Sequence, residues 1–233
     1  MDFDILPGPP LPELARTAMA RACSAVVSCT GSRELRAAAV PVRVSQAGHP
    51  ILLPRQGSAL ARHLAEGPAI VTVTIPADAP FAALRLTGMT KPGAGAGTPG
   101  PGQDPDGDEP AAYPVTLQSL EFTGAEPTQV ALNQYKTAVP DPFRHAEPAV
   151  LRHLERCHMP ELVSCVRAHG IALAEYVIPR RLDRFGLELL VFTADGLAAV
   201  RLAFPDGPVI SFQQIPASIR AVLTCRCGGG AHG

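Results

Sequence analysis

The alternation of hydrophobic and polar residues predicts a β-rich first half of the chain. In the run AAAVPVRVS (residues 37–45), valines alternate with proline, arginine and serine, as in a half-buried strand. Similar runs follow the same pattern: SAVVSCT, ILLPR, AIVTVTI, ALRLTGM and VTLQSLEFTG. A helical stripe over residues 11–24 precedes them, and Ser58 is predicted to cap a short helix, ALARHLAEG. Six strands with one interrupting helix predict a small β-barrel within residues 1–140.

A different order of elements is predicted after Pro140 and Pro142, which mark a connection between domains. A helix is expected over residues 147–170, with a kink or break at Pro160. Another helix is expected just before this connection, at 127–137. Three strands at 171–178, 187–193 and 197–204 and a helix at about 212–224 complete the pattern, with Ala194-Asp195-Gly196 turning the second hairpin. Residues 141–224 therefore form a predicted helix–three-strand–helix domain, and the whole chain an α+β fold.

Two segments are predicted to be mobile. Residues 91–112 contain six glycines, five prolines and four acidic residues, but no valine, isoleucine, leucine or aromatic residue. Such a segment cannot offset its ordering entropy by burial, so it is expected to be a disordered surface insertion in the barrel rather than a functional lid. Residues 225–233 are expected to form a flexible tail.

Composition narrows the classes of function. Charged residues make up 18% of the 233 residues, the net charge is −1 and there is no tryptophan. This balance argues against binding of nucleic acid or of an anionic membrane surface. No apolar run approaches the roughly 20 residues that a membrane span needs. The N-terminus lacks the basic and apolar regions of a secretory signal, and the six cysteines show no disulfide framework, so a cytoplasmic location is expected.

Four segments of the C-terminal domain resemble a known superfamily. They are Pro140-Asp141-Pro142, the helix segment His153-Leu154-x-x-x-His158, Leu182-Asp183-Arg184-Phe185-Gly186, and the strand Val200-Arg201-Leu202-Ala203-Phe204-Pro205. The chain resembles the split-barrel proteins of the pyridoxamine-phosphate-oxidase-like superfamily that carry an accessory α/β domain. HugZ-type heme-utilisation proteins and the plastid glutamyl-tRNA-reductase-binding protein share these two modules. The helix departs from the family pattern at Glu155 and Cys157, and the barrel is matched only by strand order.

The resemblance implies an N-terminal FMN-binding-type split β-barrel followed by the accessory domain. The resemblance implies heme or FMN as the cofactor and a homodimer as the state of assembly. It is also compatible with a protein partner for the accessory domain. A bacterial source is expected from composition, because Ala, Gly, Pro and Arg are abundant and Lys91 and Lys136 are the only lysines.

His158 is the first candidate for a cofactor or metal ligand. At about 3.6 residues per turn, it shares one stripe of the predicted helix with Leu154, Leu162 and Cys165, whereas His153 points away. His158 is therefore expected to face the core or the seam between the domains. An imidazole there ligates a metal or heme iron, or it is a buried histidine hydrogen-bonded to backbone, and both interpretations stay open.

Three further residues are candidates for cofactor binding. Arg55 and Ser58 stand at the start of the predicted short helix, where a flavin phosphate would find a cation, a hydroxyl and a helix N-terminus. The alternative is an exposed arginine beside a capping serine. Arg184 lies with Arg180 and Arg181 around the Asp183 turn, where these side chains could bind an acidic partner or a propionate. The alternative is that Arg184 and Asp183 stabilise the hairpin.

The C-terminal tail contains a second candidate for a heme-iron ligand, His232. The resemblance implies this role because HugZ-type proteins use a histidine near the C-terminal end. Cys225-x-Cys227 with His232 would also suit a soft metal, although three glycines separate them and a frayed terminus is the alternative.

Three functions remain open on the sequence. The first is a ligand-binding or regulatory protein related to heme or tetrapyrrole utilisation. The second is an FMN-dependent oxidoreductase of the same superfamily. The third is a non-catalytic dimeric scaffold that recruits a protein partner. No motif for a nucleophilic triad is present.

Overall fold

A computed structural model describes residues 8–30, 37–77, 82–91 and 111–224. Nearly all of the segment 91–112 and the whole tail 225–233 lie outside the described residues, so their predicted mobility stays a prediction. The chain divides into two compact units at Pro140/Asp141, with residues 8–10 belonging to the second unit.

The first unit contains seven strands and three helices in its described part. In chain order these are α1 Leu11–Arg21, β1 Ser24–Cys29, β2 Ala38–Val44, β3 Pro50–Leu52, α2 Ala59–Glu66, β4 Ala69–Pro76, β5 Ala83–Thr90, β6 Tyr113–Thr123, β7 Thr128–Gln129 and α3 Leu132–Thr137. The strands pair antiparallel in the order β3-β2-β1-β4-β5-β6-β7, and β3 also pairs with β6. This last pairing closes a six-stranded β-barrel, which confirms the barrel that the alternating runs predict.

The interior of the barrel follows the period-two pattern of the strands. On β4, Val71, Val73 and Ile75 are buried, whereas Thr72 and Thr74 between them are partly exposed. Outside the strands, the Tyr135 hydroxyl of α3 donates a 2.6 Å hydrogen bond to the carbonyl of Gly48 in the β2–β3 loop. This bond connects α3 to the hairpin loop.

The predicted helix at 127–137 is partly wrong. Thr128 and Gln129 form β7, which pairs with Glu121 and Phe122 of β6, and helical structure begins only at Leu132. The β-branched Thr128 adds to the edge of the barrel sheet, so non-local strand pairing outweighs the local helical pattern.

The second unit has a three-stranded sheet and three α-helices in its described part. They are α4 Glu147–Cys157, α5 Met159–Ala168, β8 Ala174–Asp183, β9 Gly186–Thr193, β10 Gly196–Ala203 and α6 Ile215–Thr224, with a short 3-10 helix Phe212–Gln214 before α6. The sheet is antiparallel in the order β10-β9-β8, and α4 and α5 pack against β8. The predicted helix–three-strand–helix pattern and the α+β class are therefore confirmed.

The motifs that carried the family resemblance form the framework of this unit. The buried Asp141 carboxylate accepts hydrogen bonds from the backbone N–H groups of Phe143 (2.7 Å) and Arg184 (2.8 Å). Glu147 accepts one from the backbone of Leu182 at 2.9 Å. These carboxylates join the start of α4 to the β8–β9 hairpin across about 40 residues of sequence.

Gly186 is required by close packing at the same hairpin. A Cβ atom at this position would lie 2.2 Å from the carbonyl oxygen of Leu202 and 2.9 Å from the Cα atom of Ala203, both backbone atoms of β10. Only glycine allows the two strands to approach this closely. The turn at Ala194-Asp195-Gly196 is confirmed, and Gly196 adopts a φ of 134° there.

Candidate functional site

The helix predicted over residues 147–170 is interrupted at His158. This residue is the C-cap of α4 and the N-cap of α5, with a non-helical φ of −130° and ψ of 22°. Pro160 at the second position of α5 explains the break, because proline fits the first turn of a helix but not its interior. The break expected from Pro160 is thus confirmed, two residues earlier than the proline itself.

The break changes the environment of His158. The helical phase does not carry across it, so His158 leaves the stripe that contains Leu154, Leu162 and Cys165. Its side chain is 37% exposed, whereas those three are buried. The prediction of a core-facing His158 is therefore wrong, because it assumed one continuous helix.

The exposed part of His158 faces a pocket of about 550 Å³ in the second unit. The pocket lies between α4, the start of α5, α6 and the 3-10 helix before α6. Apolar side chains make up most of the wall: Ala149, Val150, Leu154, Phe212, Ile215, Pro216, Ile219 and Leu223. The polar groups of the wall are His153, His158, Glu161 and Arg220.

Two imidazoles meet at one side of this pocket. The ring centroids of His153 and His158 lie 5.1 Å apart with the planes at 71°, an edge-to-face contact. Nδ1 of His158 lies 3.9 Å from Oε1 of Glu161 on the first turn of α5. His153 is exposed, as expected for a side chain turned away from the buried stripe. The expectation that His153 and His158 do not form a pair is wrong, because the change of direction at residue 158 brings their rings together.

This arrangement suits an apolar ligand that takes a nitrogen donor. Among the described residues, no group of three histidine, cysteine or carboxylate side chains is placed to hold a bare metal ion. Cys157 is exposed and Cys165 is buried.

Arg184 does not line the pocket. Its backbone N–H donates to Asp141, and its guanidinium carbon lies 4.8 Å from the centroid of the Phe185 ring. These contacts agree with a role in stabilising the hairpin, the alternative that the sequence left open. Its predicted role in cofactor binding stays a prediction.

Arg55 and Ser58 belong to the barrel unit. The Ser58 hydroxyl accepts a 3.1 Å hydrogen bond from the N–H of Ala61, which confirms the predicted N-cap of α2. Arg55 is exposed, and its carbonyl accepts from the Ser58 N–H. Because the hydroxyl is used by the helix, this segment adds no support for a flavin phosphate site.

His232, Cys225 and Cys227 lie outside the described residues, so their predicted roles stay predictions. Within the described residues, no helix is long and apolar enough to cross a membrane.

Sequence reasoning missed Glu161, Arg220 and Phe212 as parts of the site. Glu161 had a local signal, since a carboxylate three residues after the last non-helical residue is typical of a helix start. Arg220 and Phe212 had none, because their place in the wall depends on how α6, which packs against α5, is positioned in the folded unit.

Comparisons with known proteins support the fold. No protein-family model matches the chain, and no curated protein matches it. A solved structure of a heme binding protein from Mycobacterium smegmatis is 20% identical with a TM-score of 0.64, covering 95% of this chain and 99% of that chain. The protein Atu2129 from Agrobacterium tumefaciens is 16% identical with a TM-score of 0.37, covering 96% of this chain and 100% of that chain, too low a score for any argument. The first likeness is consistent with a split-barrel fold.

Proposed function

We propose that this protein binds heme or a closely related tetrapyrrole in the pocket between α4 and α6, as a ligand-binding or regulatory protein. The observation that carries the proposal is the apolar pocket with an imidazole at its wall. The Mycobacterium smegmatis protein of similar fold is a heme binding protein, which adds support.

The size and lining of the pocket support this proposal. Its volume of about 550 Å³ lies within the range of roughly 300–1,000 Å³ that is usual for small-molecule and cofactor sites. The apolar wall stabilises a flat hydrophobic ligand by removing its surface from water. Heme, when bound, would supply an iron centre that takes nitrogen ligands from the protein.

Different residues of the pocket wall would make different contacts with the ligand. His158, half-buried at the helix break, would supply a nitrogen ligand to the iron, while Leu154, Ile215 and Ile219 would exclude water from the ligand. Arg220 at the same wall offers a guanidinium to a propionate, since this group matches carboxylate geometry.

Histidine variants test the proposed ligand. Hemin titration of the full chain is expected to give a Soret band that saturates, and His158→Ala should weaken binding by at least tenfold or change the band. His145→Ala is the matched control, because His145 is exposed in the same unit and does not line the pocket. Identical titrations for His158→Ala and the wild type would contradict the assignment of His158.

The homodimer implied by the family resemblance is a separate expectation. Light scattering of the purified protein, with and without hemin, measures the mass directly and checks it.

A further inference from the structure

The position of Glu161 on α5 distinguishes it from the other carboxylates near the pocket. With His158 as the N-cap, Glu161 is the third residue of the helix. A glutamate at this position usually reaches back to the backbone N–H of the N-cap, as in a capping box. It is also favoured there by the helix dipole.

The usual partner of such a glutamate is already engaged here. The backbone N–H of His158 donates to the carbonyl of Leu154 at 2.9 Å, because His158 also ends α4. The Glu161 carboxylate stands instead beside the imidazole, with Oε1 at 3.9 Å from Nδ1. The double role of His158 as the cap of two helices therefore places a carboxylate next to its ring.

The two imidazoles of the pocket are not equivalent in this respect. Within the described part of the chain, His153 has no carboxylate at ion-pair distance, whereas His158 has Glu161. The side chains of His158 and Glu161 are 37% and 52% exposed, so neither is locked in place by tight packing.

We infer that Glu161 is the positioning residue of the site: it accepts a hydrogen bond from Nδ1–H of His158 and so leaves Nε2 as the ligating nitrogen. This inference rests on the proposed heme-binding function and specifies how His158 serves it. A carboxylate on the outer nitrogen fixes the tautomer and orientation of a ligating histidine and raises its basicity.

The test compares Glu161→Gln with the wild type and with Glu155→Gln, all as full chains loaded with hemin. Glu155 is an exposed carboxylate on α4 that does not line the pocket. Glu161→Gln should weaken hemin affinity by about 10- to 100-fold, the usual effect of losing such a partner. It should also raise the ferric/ferrous midpoint potential, because a less basic imidazole stabilises the ferric state less.

Three results separate the possibilities. The inference is supported if the midpoint potential rises in Glu161→Gln but not in Glu155→Gln, and if the free energy of unfolding is unchanged. The potential of Glu161→Asp should then lie closer to that of the wild type. Equal affinity and potential in Glu161→Gln and wild type overturns it while leaving heme binding intact. Failure of the wild type to bind hemin overturns the proposed function and this inference together.

Discussion

Replacement of Asp141 tests whether the Pro140-Asp141-Pro142 motif is structural. Its carboxylate is buried and accepts from the N–H groups of Phe143 and Arg184 at 2.7 and 2.8 Å. Hydrogen bonds to a charged group contribute about 1.5–3 kcal/mol each, so Asp141→Ala should lower the free energy of unfolding by about 3–6 kcal/mol. A loss of this size is a large part of the roughly 5–15 kcal/mol that stabilises most domains.

Urea unfolding followed by circular dichroism measures this loss, and hydrogen exchange locates it. The amides of Phe143 and Arg184 should lose protection in Asp141→Ala. Asp195→Ala is the control, since Asp195 lies exposed in the turn between β9 and β10. A change below about 0.5 kcal/mol in Asp141→Ala, the range of ordinary surface substitutions, would refute the structural account of this motif.

Two further substitutions have defined outcomes. Gly186→Ala should lower the free energy of unfolding in urea by at least about 1–3 kcal/mol, because its Cβ would meet the backbone of Leu202. Gly67→Ala is the control and should lower it much less, since there is open space around Gly67. Equal losses in the two variants would argue against the close approach of the strands at Gly186. Burial raises the pKa of Tyr135, so the unfolded chain loses its phenolic proton first as pH rises above about 10, and stability should fall there. Tyr135→Phe should be less stable at neutral pH but lose part of this alkaline slope, whereas Tyr176→Phe should keep it; an unchanged slope in Tyr135→Phe would contradict the burial argument.

The parts of the fold that depend on local pattern could be predicted from the sequence. Alternating valines on β2 and β4 define strands because one face of each is buried, and Ser58 defines a helix start because its hydroxyl accepts from the helix backbone. The pairing of β3 with β6 is non-local, so strand order suggested closure without showing it.

The candidate site depends on His158, and the direction of this side chain could not be predicted from helical periodicity. A helical stripe assigns each side chain a direction only while the backbone stays helical, and at His158 it does not. The same break that removes His158 from the core opens it to the pocket and places Glu161 beside it. The pocket wall also needs α6, whose position is set by tertiary packing against α5.

Hemin titration of the wild-type full chain is the most direct test of the central claim. If the pocket binds heme, the titration should give a saturable Soret change at one hemin per chain, with a Kd at or below about 1 µM, or roughly −8 kcal/mol of binding free energy. The absence of any spectral shift when hemin and protein are mixed at micromolar concentrations would contradict heme binding. The pocket would then have to bind a different ligand.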